Sequence, residues 1–275
     1  SRISANDLFI TATASKTTVH EQEAILLTYK VYTVVNLRQL YGKMPDLKGF
    51  HTQEVELPQQ KTFTLEHYKG RNYNTTVWSQ YVLFPQQTGK LEIPSITFDG
   101  VVAQQTVSDD PFDAFFNGGG YVEVKKKITT PKVVINVQPL PAKPTGFSGA
   151  VGEFKLASSI NATDVKTNDA VTIKLTLSGT GNMKLIGIPE VKFPQDFEIY
   201  DPKVTDDYKL TNSGLTGTKT FEYLAIPRHA GNFTIPAVEF TYFDLKSNSY
   251  KTLKTEAYNL KVAKGQGNAD QVISD

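Results

Sequence analysis

Hydrophobic and polar positions alternate with a period of two along most of this chain. In Ala170–Leu177, Val171, Ile173, Leu175 and Leu177 share one face, while Thr172, Lys174 and Thr176 share the other. Such a segment is a strand with one buried face. Ala24–Thr33 is likewise β-branched and aromatic. Further runs follow at Tyr81–Phe84, Lys90–Phe98, Val122–Val137, Phe221–Ile226, Asn232–Phe243 and Tyr258–Val262, bounded by Gly, Pro, Asn and Asp. Sustained helical spacing is missing throughout. Many short strands at regular spacing predict an all-β sandwich or barrel.

The pattern also repeats. Tyr81, Pro85, Gly89, Ile93, Pro94 and Phe98 match Tyr223, Pro227, Gly231, Ile235, Pro236 and Phe240 at a single offset of 142 (223 − 81). A proline that cannot donate to the ladder ends one strand, a glycine closes the turn, and a second strand starts. Upstream, Val19–Val31 lies over Val165–Leu177 at an offset of 146 (165 − 19), and Met44–Lys48 lies over Ile188–Lys192. Three matches in one order predict two tandem β-sandwich domains from an internal duplication. The first domain is read as residues 1–138 and the second as 151–263. Between them, 139–150 is a Pro/Gly-rich linker, and 264–275 is a polar, aperiodic segment expected to be a disordered tail.

One stretch, 109–120, has no counterpart in the second repeat. Asp110 as N-cap, Pro111 at the first helical position, Asp113 in the first turn and Gly118 beyond the end predict one short helix. It carries Phe112, Phe115 and Phe116, with Tyr121 just after. Two readings follow: a lid over one end of the sandwich, or an exposed aromatic contact site for a partner.

Composition removes several function classes. In 275 residues, 29 Lys and Arg nearly cancel 28 Asp and Glu, so no electrostatic footprint for nucleic acid exists. The one basic run, Lys125-Lys126-Lys127, reads as a solvated or edge face. With no cysteine there is no disulfide, thiolate nucleophile or thiolate metal site. His20, His51, His67 and His229 lack ligand spacing. The acids Asp109, Asp110 and Asp113, and Asp201, Asp206 and Asp207, lack the spacing of a calcium loop. Gly146-Phe-Ser148-Gly falls one residue short of a nucleophile elbow. Gly179-Thr-Gly181-Asn182 follows a strand but precedes no helix, and is read as a turn. No catalytic residue, cofactor or metal is expected.

Several segments carry a resemblance. Gly70–Thr75 leads to Gln80–Pro94; then come Pro141–Phe154, Ser178–Pro189, Phe197–Val204 and the second Tyr-Pro-Gly-Ile-Pro unit. In this order they resemble the BatD, or oxygen-tolerance (aerotolerance), family of bacterial envelope proteins, with the linker and the Gly-Thr-Gly-Asn segment as the most specific parts. The resemblance implies immunoglobulin-like domains facing the periplasm. It further implies that this chain is a soluble fragment of a membrane-anchored protein, touching the membrane only through an anchor outside it. Implied partners are von Willebrand A-type Bat proteins and a MoxR-type AAA+ ATPase; no enzymatic activity comes with it. The expected function is a non-catalytic protein-interaction scaffold in a Bat-type envelope complex linked to aerotolerance or stress, with Phe112, Phe115, Phe116 and Tyr121 as candidate partner contacts. The alternative is a carbohydrate-binding module of the cell envelope, built on aromatic platforms such as Trp78.

Overall fold

A computed structural model describes residues 3–106, 110–117 and 120–265. Two compact units divide between Pro139 and Leu140. The first contains strands β1 (Leu8–Ala14), β2 (Thr18–His20), β3 (Ile25–Thr33), β4 (Asn36–Tyr41), β5 (Phe50–Glu54), β6 (Thr64–Tyr68), β7 (Arg71–Pro85), β8 (Gly89–Ile93) and β9 (Thr97–Gln105), helix α1 (Pro111–Asn117), and strands β10 (Tyr121–Thr129) and β11 (Val133–Gln138). The second contains β12 (Phe147–Ile160), β13 (Asp164–Lys166), β14 (Val171–Gly181), a 3-10 turn (Met183–Leu185), β15 (Phe197–Ile199), β16 (Lys203–Thr211), β17 (Gly214–Pro227), β18 (Gly231–Ile235), β19 (Glu239–Asp244), β20 (Ser249–Lys254) and β21 (Tyr258–Ala263). Each unit is an all-β sandwich. Among the described residues no helix is long and apolar enough to cross a membrane.

In the first unit β1-β3-β7-β5 form one layer, with β6 also paired to β7; β10-β9-β4 and β2-β11-β8 form the other. Ile25, Leu27, Tyr29 and Val31 of β3 meet Ile93, Phe98, Val102, Ile128 and Ile135 of the facing layer in one core. The alternation read from the sequence is what puts those side chains on one face. Each large aliphatic or aromatic side chain so buried contributes about 1.5–3 kcal/mol. In the second unit β15-β17-β14-β12-β19-β20 are continuous, with β16 also on β17, and β13-β21-β18 form the smaller sheet.

The two units correspond strand for strand. Ile25↔Leu83 in the first becomes Val171↔Ala225 in the second, at the offsets of 146 and 142 found in the sequence. Phe98↔Ile128 becomes Phe240↔Leu253, so β10 maps to β20 at an offset of 125 (253 − 128). The drop from 142 to 125 locates 17 extra residues in the β9–β10 hairpin of the first unit. Proline places the strand breaks within the long sequence runs: Pro94 separates β8 from β9, and Pro131 separates β10 from β11.

Two expectations change. Strand β12 starts at Phe147, inside the stretch read as linker, because Phe147 pairs in parallel with Thr241 of β19. The Gly179-Thr-Gly181 stretch is not a turn but the end of β14, paired to Gly152–Phe154 of β12. Backbone approach explains it: a Cβ on Gly179 would stand 2.0 Å from the Glu153 carbonyl oxygen, and one on Gly181 would stand 2.2 Å from that of Val151. Buried Asn182 then accepts from the Val151 N–H (2.8 Å) and donates to the Gly149 carbonyl (2.9 Å), locking β14 to the start of β12. The tail expected at 264–275 lies outside the described residues from 266 onward; just before it, the Gly265 N–H donates to Thr167 Oγ1 at 2.9 Å.

Gly179→Ala should therefore lower the stability of the second unit by about 3 kcal/mol through clash and backbone strain. Gly187→Ala, where a Cβ meets nothing within 4 Å, should stay within about 0.5 kcal/mol. Urea unfolding of the two variants checks the difference.

Candidate interaction surface

Helix α1 sits in the lengthened β9–β10 hairpin. Asp110 caps it as expected, its Oδ1 accepting from the Phe112 N–H at 3.0 Å, and Pro111 opens it. A seven-residue helix is too short to be stable by itself in water, so cap and proline matter. Of the predicted insertion 109–120, residues 109, 118 and 119 lie outside the described residues, and Gly118 with them. Phe112, Phe115 and Phe116 are 70%, 81% and 65% exposed. Their ring contacts are with one another: Phe112–Phe116 at 4.5 Å and Phe115–Phe116 at 5.2 Å between centroids. The lid reading required these rings to be covered, and their exposure overturns it. Tyr121 and Val122, on the adjoining strand, are 65% and 50% exposed. Five large apolar side chains thus face solvent in one hairpin.

Strand β10 continues from this tip with Lys125 and Lys127 pointing outward. Lys127 pairs with Asp99 at 2.9 Å, while Lys126 turns the other way and donates to the Ile3 carbonyl at 3.4 Å. An ion pair as exposed as Lys127–Asp99 adds little to stability.

Sequence reasoning missed a second feature of the same unit. Phe9, Tyr32, Tyr68 and Tyr73 cluster on the outward face of β1, β3, β6 and β7. Phe9 stacks on Tyr32 with centroids 4.9 Å apart, and Tyr68 lies 4.7 Å from Tyr32. Lys69 stands over Tyr68 at 5.4 Å and Arg71 over Tyr73 at 5.6 Å. Beside the cluster a cleft of about 570 Å³ is lined by Phe9, Tyr68, Lys69, Arg71, Tyr73, Thr129 and Pro131, among others. By strand register the second unit has Lys155, Ser178, Thr211 and Thr216 in place of the four rings. That comparison of repeats was the available signal.

Charged groups hold the cluster's surroundings. The Ser4 N–H and the Arg71 guanidinium keep the Asp7 carboxyl below its ordinary range. Hydrogen bonds from Lys30 and Thr75 do the same for Glu66, and Glu66 in turn raises the Lys30 ammonium. Trp78, the platform named for glycan binding, is the extra residue of a bulge in β7, since Tyr29 pairs with Ser79 and Lys30 with Val77. Lys61 caps that bulge, donating to the Trp78 carbonyl at 2.7 Å while standing over the indole at 5.4 Å. Burial pulls the Lys61 ammonium below its ordinary value. Among the described residues no three His, Asp or Glu gather as a metal site would need.

A protein-family model described as "BatD DUF11 like domain" matches residues 12–137 and 158–262. No curated protein matches the chain. Solved structures similar to it include the Yersinia pseudotuberculosis adhesin InvE, at TM-score 0.23 and 11% identity, over 94% of this chain and 59% of that one. The Escherichia coli adhesin FdeC is similar at TM-score 0.20 and 11% identity, over 96% and 66%. A type II cohesin dyad from the ScaA scaffoldin of Acetivibrio cellulolyticus is similar at TM-score 0.21 and 10% identity, over 82% and 87%. The chain spans about three-fifths of the InvE chain, and likeness at these TM-scores carries no functional information.

Two outcomes follow from this geometry. Phe115→Ser with Phe116→Ser should change unfolding free energy by no more than about 0.5 kcal/mol, because the rings are already in water; thermal melting checks it. Glu66 has a depressed folded-state pKa, so its contribution is present above the ordinary carboxylate range and lost as pH falls through the depressed value. Glu66→Gln should flatten the acid limb of the stability–pH curve, measured by urea unfolding between neutral and strongly acid pH.

Proposed function

The chain belongs to the BatD family, and from that premise we propose that it is a non-catalytic protein-interaction scaffold on the periplasmic side of a bacterial envelope. In this reading it works within a Bat-type complex linked to aerotolerance or stress, and von Willebrand A-type Bat proteins are its partners. One observation carries the reading: three phenyl rings stand exposed on a helix that the first unit inserts, and among the described residues their ring contacts are with one another. Exposed contiguous apolar groups of this kind mark interaction sites on soluble proteins. Aromatic residues also supply most binding energy where interfaces have been dissected. Phe112, Phe115, Phe116 and Tyr121 are then the contact residues, and the sandwich below them is a rigid mount.

The glycan-binding alternative loses support at Trp78, whose ring packs against the first unit's core with Lys61 standing over one face. Tyr29, Tyr32, Tyr73, Tyr223 and Tyr242 are buried and offer no platform either.

A photo-crosslinker placed at Phe115 in the native envelope, with captured proteins identified by mass spectrometry, tests the proposal. A von Willebrand A-type protein should be captured, and Phe112→Ser with Phe116→Ser should reduce capture about tenfold or more while folding is kept. Capture unchanged by those substitutions overturns the contact assignment. Polysaccharide binding at millimolar or tighter affinity would favour the alternative.

A further inference from the structure

Strand β10 ends its sheet, and among the described residues no backbone partner meets its outer edge. The Thr106 N–H bonds the Gly120 carbonyl at one end of the β9–β10 ladder, and the Thr130 N–H bonds the Ile96 carbonyl at the other. The even-numbered residues of β10 therefore direct their N–H and C=O groups toward β9. Tyr121, Glu123, Lys125, Lys127 and Thr129 direct theirs outward. Nine residues of open edge are a template for another strand.

We propose that this edge pairs, antiparallel, with β10 of a second copy of the chain, centred on Val124. Charge selects the register. Centring on Glu123, Lys125 or Lys127 sets that residue against itself, and centring on Lys126 sets Lys125 against Lys127. Centring on Val124 instead puts Glu123 opposite Lys125 of the second copy, twice by symmetry, and Tyr121 opposite Lys127. All of these are outward-directed residues, so backbone hydrogen bonds and unlike charges agree on one register. The lysine run then discourages slipped pairings of β10 with itself and allows this one.

A single strand edge is small beside the roughly 800 Å² per partner of a standard interface, so the dimer should be a weak one.

Sedimentation equilibrium of the whole chain, from micromolar to millimolar, tests this. The chain should show a monomer–dimer equilibrium. Lys125→Glu and Glu123→Lys should each weaken the dimer about tenfold or more, since each creates two like-charge pairs. Mixing the two single variants should restore a heterodimer near the unmodified strength, as should combining both changes in one chain. Circular dichroism of each variant verifies folding. A chain that stays monomeric throughout, or charge variants that dimerise unchanged, would overturn the pairing. Neither result touches heterologous capture by α1, which the cross-linking experiment reads separately.

Discussion

Antiparallel pairing of the two central strands, β3 with β7 and β14 with β17, is the constraint on which each unit depends. Because side chains alternate, a slip of one residue would turn Ile25, Leu27 and Tyr29, or Val171, Ile173 and Leu175, out of the core and drive lysine and threonine into it. All other strands take their places from that pair. Strand β5 continues β7 and β15 continues β17 at matching residues, Phe50↔Pro85 and Phe197↔Pro227. Strand β11 receives β2 and β8 just as β21 receives β13 and β18.

Within this shared frame the units solve the same local problems with different chemistry. The first tolerates a bulge at Trp78 in its central pair and satisfies the displaced carbonyls with the Lys61 ammonium. The second runs β14 against β17 without a shift and instead presses glycines against backbone, with Asn182 and Lys219 closing the end. Outer faces diverge as well. Aromatic stacking covers the first, where each ring pair adds about 0.5–1.5 kcal/mol beyond burial. Hydroxyl pairs such as Thr180 with Thr216 serve the second.

Much of this was legible in the sequence, and the limits have physical causes. Strand runs, proline breaks and repeat offsets follow from local rules of pleat and ladder, and they appear in the structure with register intact. The capped helix at Pro111 was readable for the same reason. Exposure of Phe112, Phe115 and Phe116 was not, since a ring's burial depends on what tertiary structure brings above it. Gly179 and Gly181 looked like a turn because close approach between two backbones leaves no trace in the pattern of either strand alone. The Phe9–Tyr32–Tyr68–Tyr73 cluster is spread over four strands. Tyr32 even breaks the alternation of β3, being buried beside an equally buried Val31.

The 17 extra residues of the first unit lie at a hairpin tip, where two strands are already held together by their ladder. Closing a longer loop there costs free energy that grows only with the logarithm of its length. The register of β9 and β10 is the same as in the unit without the extension. A duplicated sandwich therefore has a place where one copy differs from the other without disturbing the shared frame. The extra surface stands at the point of least mechanical consequence, so the first hairpin's chemistry is separable from the core's stability.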